Sequence, residues 1–117
     1  MKTFKDLRVW QKSHQLTLEI YKITDNFPTE EKFSLISQLR RASVSVTSNL
    51  VEGFKRQTIK DKLHFYNMAE GSLEELKYQI VLSHDLHFIN QEAFNNVYSI
   101  AEEVGKLLYR WVESQKN

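Results

Sequence analysis

Residues that break helices are scarce in this chain. It has three glycines and one proline in 117 residues, well below ordinary usage. Between them, apolar residues recur every three or four positions rather than in alternation, which is the spacing of helices with one apolar side. We therefore predict an all-α fold without strands.

The predicted helices start and stop at recognisable signals. Pro28 disfavours helical geometry at the residue before it and should end the first helix. Thr29 is then the predicted cap of the second helix, Thr58 with Asp61 has the form of a capping box for the third, and Asn90 can cap the fourth. The predicted helices cover about residues 5–26, 30–54, 59–88 and 91–114.

Short connections between long helices make sequential helices antiparallel neighbours. The sequence therefore predicts an antiparallel, up-down-up-down four-helix bundle, and the length suits a single domain over residues 1–117. No apolar stretch approaches the roughly 20 residues of a membrane span, no secretory signal opens the chain, and there is no cysteine. We expect a soluble, cytoplasmic protein without a membrane partner.

The net charge is only +1, but the charges are unevenly distributed. Residues 1–57 carry ten Lys and Arg against six Asp and Glu, whereas residues 58–117 carry six against nine, so the halves are +4 and −3. This polarity is consistent with a basic surface for nucleic acid. It is equally consistent with two halves that neutralise each other by packing together.

The first two helices carry more apolar residues than one seam needs. In the second helix, a core stripe of six residues runs from Leu35 to Gly53, which leaves Phe33, Val44 and Val51 outside it. In the first helix a second stripe likewise lies apart from the core stripe. These extra positions predict a homo-oligomer interface, although each helix of a bundle also has two neighbours inside the chain. The interface candidates are Leu7, Trp10, Leu18, Tyr21, Phe33, Val44 and Val51.

A line of polar residues borders the core stripe of the second helix and has a counterpart on the third. We predict that Arg41 forms a partly buried ion pair with Glu75 or Glu52 and fixes the register of the two helices. A solvated charged edge is the alternative. The predicted structural polar network comprises Arg41, Ser45, Asn49, Glu52, Gly71 and Glu75.

Positive charges crowd the connection between the second and third helices. Lys55 and Arg56 precede it and Lys60 and Lys62 follow it, while Arg40 points away from the core stripe. Such charges suit phosphate groups, and binding through them would weaken steeply with salt. The alternative is an ordinary solvated loop. These five residues are the candidate contacts with nucleic acid or another partner.

Features of an active site are missing from the sequence. Di-iron centres in four-helix bundles use Glu-x-x-His pairs, which do not occur here. His84 and His87 could form part of a metal site but also suit the carboxyl end of a helix. Without a cysteine, a nucleophilic-serine turn or a glycine-rich phosphate loop, we expect no catalytic residues, no metal, no cofactor and no small-molecule substrate.

Three segments carry a resemblance to a known family. Residues 4–11 (FKDLRVWQ) resemble its opening F-x-D-L-x-V-W-x motif, residues 38–53 (QLRRASVSVTSNLVEG) resemble Q-L-R-R-A-x-x-S-[IV]-x-x-N-[IL]-x-E-G, and residues 69–76 (AEGSLEEL) resemble A-x-G-S-L-x-E-L. The family consists of proteins encoded by intervening sequences in bacterial 23S ribosomal RNA genes. The rest of the chain is similar only in its helical character, and Val51 stands where the family often has alanine.

The resemblance implies a four-helix bundle that commonly assembles as a ring-like homopentamer, with no cofactor and no established enzymatic activity. Related proteins include the accessory variability determinant of diversity-generating retroelements, which works with a reverse transcriptase and nucleic acid through a basic surface. For this chain the resemblance implies a homo-oligomeric adaptor or scaffold, with RNA, DNA or a nucleic-acid enzyme such as a reverse transcriptase as partner. The alternative is a module that binds only other proteins.

Overall fold

The computed structural model describes residues 2–117, and within them the fold is all-α, as predicted. Two short 3-10 turns, Phe4–Asp6 and Thr29–Glu31, precede the first and second α-helices, and no strand occurs in the described range. The four α-helices are α1 (Arg8–Thr24), α2 (Leu35–Lys55), α3 (Ile59–Asp85) and α4 (Gln91–Gln115).

The first helix begins later than predicted because the chain makes a separate turn before it. Thr3 and Asp6 form a capping box around the first 3-10 turn, with the Thr3 hydroxyl accepting a hydrogen bond from the Lys5 N–H. Leu7 then takes an extended conformation (φ −76°, ψ 122°), which interrupts the helical geometry. Its side chain is only 1% exposed and packs into the core.

The second helix also begins later than predicted, at Leu35 rather than near residue 30. Thr29 does not cap α2, because it belongs to a 3-10 turn that follows Pro28. The backbone at Ser34 (φ −125°, ψ −104°) is not helical and breaks the path between this turn and α2. Phe33 therefore lies on the bend and not on the helix.

The caps of the last two helices agree with the sequence. The Thr58 hydroxyl accepts a hydrogen bond from the Asp61 N–H at 3.1 Å, and Asn90 Oδ1 accepts one from the Ala93 N–H at 2.8 Å. The third helix ends at Asp85 rather than residue 88, because His87 adopts a left-handed conformation with φ 66°.

That left-handed residue closes the carboxyl end of α3. The Phe88 N–H donates to the Ser83 carbonyl and the His87 N–H donates to the His84 carbonyl, both at 2.9 Å. This is the Schellman pattern, which satisfies carbonyls that have no partner inside the helix. The left-handed position usually holds glycine, but here it holds histidine.

Each α-helix contacts two others, in the pairs α1–α2, α2–α3, α3–α4 and α1–α4. Between α1 and α2 the hydrogen bonds follow opposite orders along the two helices. Ser13 of α1 hydrogen-bonds Thr47 of α2 at 2.7 Å, and further along α1 the Arg40 Nε of α2 donates to Thr24 Oγ1 at 2.9 Å. The predicted core stripe of α2 is confirmed as buried: Leu35, Leu39, Ala42, Val46, Leu50 and Gly53.

The closest approach of α2 and α3 lies at Gly53. A Cβ on Gly53 would lie 2.8 Å from Cδ1 of the Tyr66 ring and closer still to Cε1, so no larger residue fits without displacing the ring. Tyr66 is fully buried. As for membranes, none of the helices described combines the length and the apolar character needed to cross a bilayer.

Candidate interaction surfaces

Four of the predicted interface residues form an exposed surface, which we call the α1–α2 apolar patch: Leu18, Tyr21, Phe33 and Val44. Phe33 is 90% exposed, the most of any large apolar residue among those described. Tyr21, Phe33 and Val44 line one shallow depression between α1 and α2. Contiguous exposed apolar area of this kind usually marks a contact surface.

The other three interface candidates lie elsewhere. Leu7 is buried in the core, because the extended backbone before α1 turns its side chain inward. Trp10 is half-buried, with its ring stacked on His14 and edge-on to Phe4. Val51 is also half-buried. The prediction was therefore wrong for Leu7, and Trp10 and Val51 are not exposed parts of the patch.

Arg40, a candidate partner contact, is engaged by α1 in the free chain. Its guanidinium donates to Thr24 Oγ1 at 2.9 Å, to Asp25 Oδ1 at 3.0 Å and to the Tyr21 carbonyl at 3.3 Å, and it lies over the Tyr21 ring. A cation at this position satisfies the carbonyl end of α1 and suits its dipole. Arg40 therefore attaches α2 to the end of α1 and borders the apolar patch.

The predicted basic cluster is only partly available to a partner. Arg56 pairs with Glu52 at 2.5 Å and lies over the Phe65 ring, and Lys62 Nζ donates to the carbonyls of Gly53 and Phe54 at the end of α2. Lys55 and Lys60 are exposed, and neither makes an ion pair within the described part of the chain. Two of the four clustered cations therefore stabilise the α2–α3 connection.

The sequence did not indicate that other helices bring further cations to the same end of the bundle. The 3-10 turn that carries Lys5 contacts α2, and Arg8 and Arg110 line one surface pocket beside Trp111, whose ring meets the Tyr66 ring. With Lys55 and Lys60 these residues form what we call the basic pole: Lys5, Arg8, Lys55, Lys60 and Arg110. Only the bundle topology, not local spacing, could have grouped them.

A polar groove of about 410 Å³ lies between α2 and α3. Three of the six residues of the predicted polar network line it: Arg41, Ser45 and Glu75. The α2–α3 groove is lined by Gln38, Arg41, Ala42, Ser45, Ser72, Glu75 and Gln79. The family-like motifs at residues 38–53 and 69–76 thus face each other across an open groove.

The predicted ion pair of Arg41 is wrong in the free chain. Among residues 2–117, Arg41 lies within 4.0 Å of neither Glu52 nor Glu75 and instead donates to Ser37 Oγ at 2.9 Å. Eleven residues of helix separate Arg41 from Glu52, a rise of about 16 Å, and Glu52 pairs with Arg56 one turn away. Glu75 lines the opposite wall of the groove, so it faces Arg41 without reaching it.

A pair of hydroxyl groups joins the two helices beside the groove. Ser45 and Ser72 share a hydrogen bond of 2.8 Å, and Asn49 Nδ2 donates to the Ser45 carbonyl at 2.9 Å and to its Oγ at 3.2 Å. Ser45 and Asn49 of the predicted network are therefore linked directly, and Ser45 connects them to Ser72 of α3. Gly71 of the predicted network is exposed, and an added Cβ meets nothing within 4 Å.

Two polar aromatic groups are buried together beside Gly53. The Tyr66 hydroxyl and Trp111 Nε1 are both shielded from solvent, and neither has a hydrogen-bond partner within the described residues. Burial raises the pKa of the Tyr66 hydroxyl above its ordinary value, and the neighbouring Trp111 indole offsets part of that increase. Both groups lie near the Gly53 end of α2, whereas the groove is lined by residues 38–45 of that helix.

The two histidines considered as metal ligands have other surroundings. Across residues 2–117, no three His, Asp or Glu side chains lie close enough together to hold a metal ion. The His84 ring packs on Phe94 with 4.6 Å between centroids, and His87 forms the left-handed end of α3. Both positions therefore have a structural role in closing α3 against α4.

Comparison with known proteins identifies the family and the fold. The model of the family described as 23S rRNA-intervening sequence protein matches residues 5–110. Among solved structures, the crystal structure at 1.70 Å of a protein with unknown function from the S23 ribosomal protein family of Bacteroides thetaiotaomicron VPI-5482 has a TM-score of 0.80 and 24% sequence identity. The alignment covers 90% of this chain and 95% of that one. No curated protein matches the chain.

Proposed function

The chain belongs to the family of 23S rRNA-intervening sequence proteins, and we propose that it is a non-enzymatic, homo-oligomeric scaffold that associates with nucleic acid. The observation that carries the proposal is the α1–α2 apolar patch, with Phe33 almost fully exposed at its edge. The proposal includes the antiparallel, up-down-up-down topology, which the opposite order of hydrogen bonds along α1 and α2 supports.

Self-association is the first part of the proposed function. Leu18, Tyr21, Phe33 and Val44 expose apolar area that folding of one chain leaves uncovered. Removing such area from water is favourable at about 25 cal/mol per Å², so a second copy that covers it gains stability. We propose a ring of five copies, the assembly that the family resemblance implies.

Association with nucleic acid is the second part. The basic pole combines cations from the starts of α1 and α3 and the ends of α2 and α4, and Lys5, Lys55, Lys60 and Arg110 have no ion-pair partner among the described residues. Phosphate groups of RNA or DNA fit such a surface, since binding there releases counterions. If the chain is related to the retroelement accessory proteins, a reverse transcriptase bound to the same nucleic acid is a further proposed partner.

Two measurements test the two parts separately. Light scattering gives the solution mass, which we expect near five times the 13.9 kDa of one chain. Fluorescence anisotropy with a labelled RNA of mixed sequence gives affinity as a function of salt. Reversing two pole charges, Lys55→Glu with Lys60→Glu, should weaken RNA binding and lower the slope of log affinity against log salt by about two.

The matched control reverses two lysines outside the basic pole, Lys22→Glu with Lys106→Glu, for the same change in net charge. Equal loss of binding in both double variants would show a general charge effect and contradict the role of the pole. A monomeric mass in wild-type protein would contradict the scaffold.

A protein-binding module without nucleic-acid binding is the second candidate function. The engagement of Arg56 by Glu52 and of Lys62 by the α2 carbonyls favours it, because these cations already have partners inside the chain. A stable oligomer that shows no salt-sensitive binding to RNA would support this function over the first.

A further inference from the structure

Glycine at position 71 has no role inside the free chain. Gly71 lies in the middle of α3 on its exposed side, and a Cβ built there meets no atom within 4 Å. Glycine is less favourable than alanine in an exposed helix, because its backbone loses more freedom on folding. The position is therefore open to a close neighbour that one chain does not supply.

A buried amide in the adjoining α2–α3 groove also lacks a partner. Gln79 lines the groove and is only 5% exposed, and its buried Oε1 accepts no hydrogen bond from any described residue. Buried polar side chains are nearly always hydrogen-bonded, and an amide can both donate and accept. Gln79 therefore brings to the groove lining an amide oxygen for which the described residues supply no donor.

The facing walls of the groove carry opposite charges that are not paired with each other. Arg41 on α2 and Glu75 on α3 are both exposed and both line the groove, and no ion pair within 4.0 Å joins them in residues 2–117. A surface with one cation and one anion on neighbouring ridges is complementary to a second copy of itself. Arg41 of one copy can then meet Glu75 of the other.

We propose that the α2–α3 groove is a contact between two copies of this chain, in which Arg41 pairs with Glu75 of the neighbouring copy and a helix of that copy packs at Gly71. This rests on the self-association proposed above and adds a second contact surface, separate from the α1–α2 apolar patch, and an ion pair. Met68 and Tyr78 are exposed at positions that share the Gly71 side of α3, so they supply apolar area beside the charges.

Charge reversal in separate variants tests the contact. Arg41→Glu places two anions at the contact, and Glu75→Arg places two cations, so each variant alone should associate at least about tenfold more weakly than wild type. Mixing the two variants in equal amounts should give association between unlike variants, because a contact between one copy of each joins an anion to a cation. The double variant Arg41→Glu with Glu75→Arg should also regain the wild-type mass.

Two controls separate the contact from folding. Lys106→Glu, an exposed charge reversal on α4, should leave the mass unchanged. Gly71→Leu retains all charges and favours helix, so it should keep wild-type circular dichroism while losing association. If it instead keeps the wild-type mass, no helix packs closely at Gly71 and the proposal is wrong.

The remaining outcomes separate this inference from the proposed function. Wild-type mass in both single variants would overturn the groove contact while leaving self-association intact, and would leave the groove to a different protein. Loss of association that mixing does not restore would overturn the Arg41–Glu75 pair. A monomeric wild type at every concentration would overturn self-association itself, and the groove contact with it.

Discussion

The two glycines of the α2–α3 helix pair have opposite surroundings. At Gly53 the Tyr66 ring fills the space where a side chain would begin, whereas at Gly71 that space is empty. Both belong to segments that resemble family motifs. A glycine in such a motif can therefore reflect packing inside one chain or an open position on its surface, and only the fold distinguishes the two.

The largest expected effect comes from adding a side chain at Gly53, where the Tyr66 ring already fills the space. Gly53→Ala should lower the free energy of unfolding by about 3 kcal/mol, because the new Cβ overlaps a rigid, fully buried ring. Chemical denaturation followed by circular dichroism measures this change.

Gly105→Ala is the matched control for that variant, because its Cβ would lie at an ordinary 3.5 Å from Leu73 Cδ2. It should be neutral or slightly stabilising. If Gly53→Ala changed the stability as little as Gly105→Ala, the tight contact with Tyr66 would be contradicted. A double-mutant cycle with Tyr66→Leu should show strong coupling between positions 53 and 66.

Removing only the Tyr66 hydroxyl separates the effect of the side chain's polarity from the effect of its volume. Tyr66→Phe should raise the free energy of unfolding by about 1 kcal/mol, because a buried hydroxyl without a partner is lost. Since burial raises the folded-state pKa, the unfolded chain releases the phenol proton first, at about pH 10. Wild-type stability should therefore fall more steeply than that of the variant above this pH.

Denaturation series at about pH 8 and about pH 11 compare the two proteins for this purpose. The same pH dependence in both would show that Tyr66 ionises equally in the folded and unfolded chains, contrary to its burial.

At Gly71, where the space is open, a change to alanine should raise the free energy of unfolding rather than lower it. Gly71→Ala should stabilise the dilute, monomeric chain by about 1 kcal/mol, since the added methyl group contacts nothing and alanine favours helix. Denaturation at low protein concentration is the appropriate measurement. Destabilisation at that concentration would mean that Gly71 is enclosed by its own chain.

Position 87 extends the comparison, because the backbone there favours glycine but the chain has histidine. His87→Gly should stabilise the fold by about 0.5 kcal/mol, since glycine adopts φ 66° without the Cβ penalty but also frees the unfolded chain. His87→Val should destabilise, because a β-branched residue is strongly disfavoured at positive φ. Thermal unfolding of both variants gives the order, and equal midpoints would contradict this account.

The sequence predicted the helical class and the α2 core because burial follows a local repeat. Caps such as Thr58 and Asn90 were also predictable, since their hydrogen bonds span only three residues. The start of α2 was not predictable, because the same residue types favour the first turn of an α-helix and a 3-10 turn. Only the bend at Ser34 separates the 3-10 turn from α2.

The candidate surfaces were less predictable because they depend on contacts between distant segments. Periodicity placed Leu7 on an outer stripe, but it lies before α1 in extended backbone and turns inward. Spacing placed Arg41 near Glu75, but it could not reveal that Ser37 takes its hydrogen bond. The basic pole required knowledge of which helix ends meet, which no single segment contains.

The closed ring of helix contacts has a consequence for how the molecule folds. Three of its four contacts, α1–α2, α2–α3 and α3–α4, join neighbours along the chain, and chains rich in local contacts fold quickly. Only α1–α4, with the Lys12 to Glu103 ion pair at 3.1 Å, joins distant segments. That seam closes the longest loop, so it should form last in folding and separate first in native-state fluctuations.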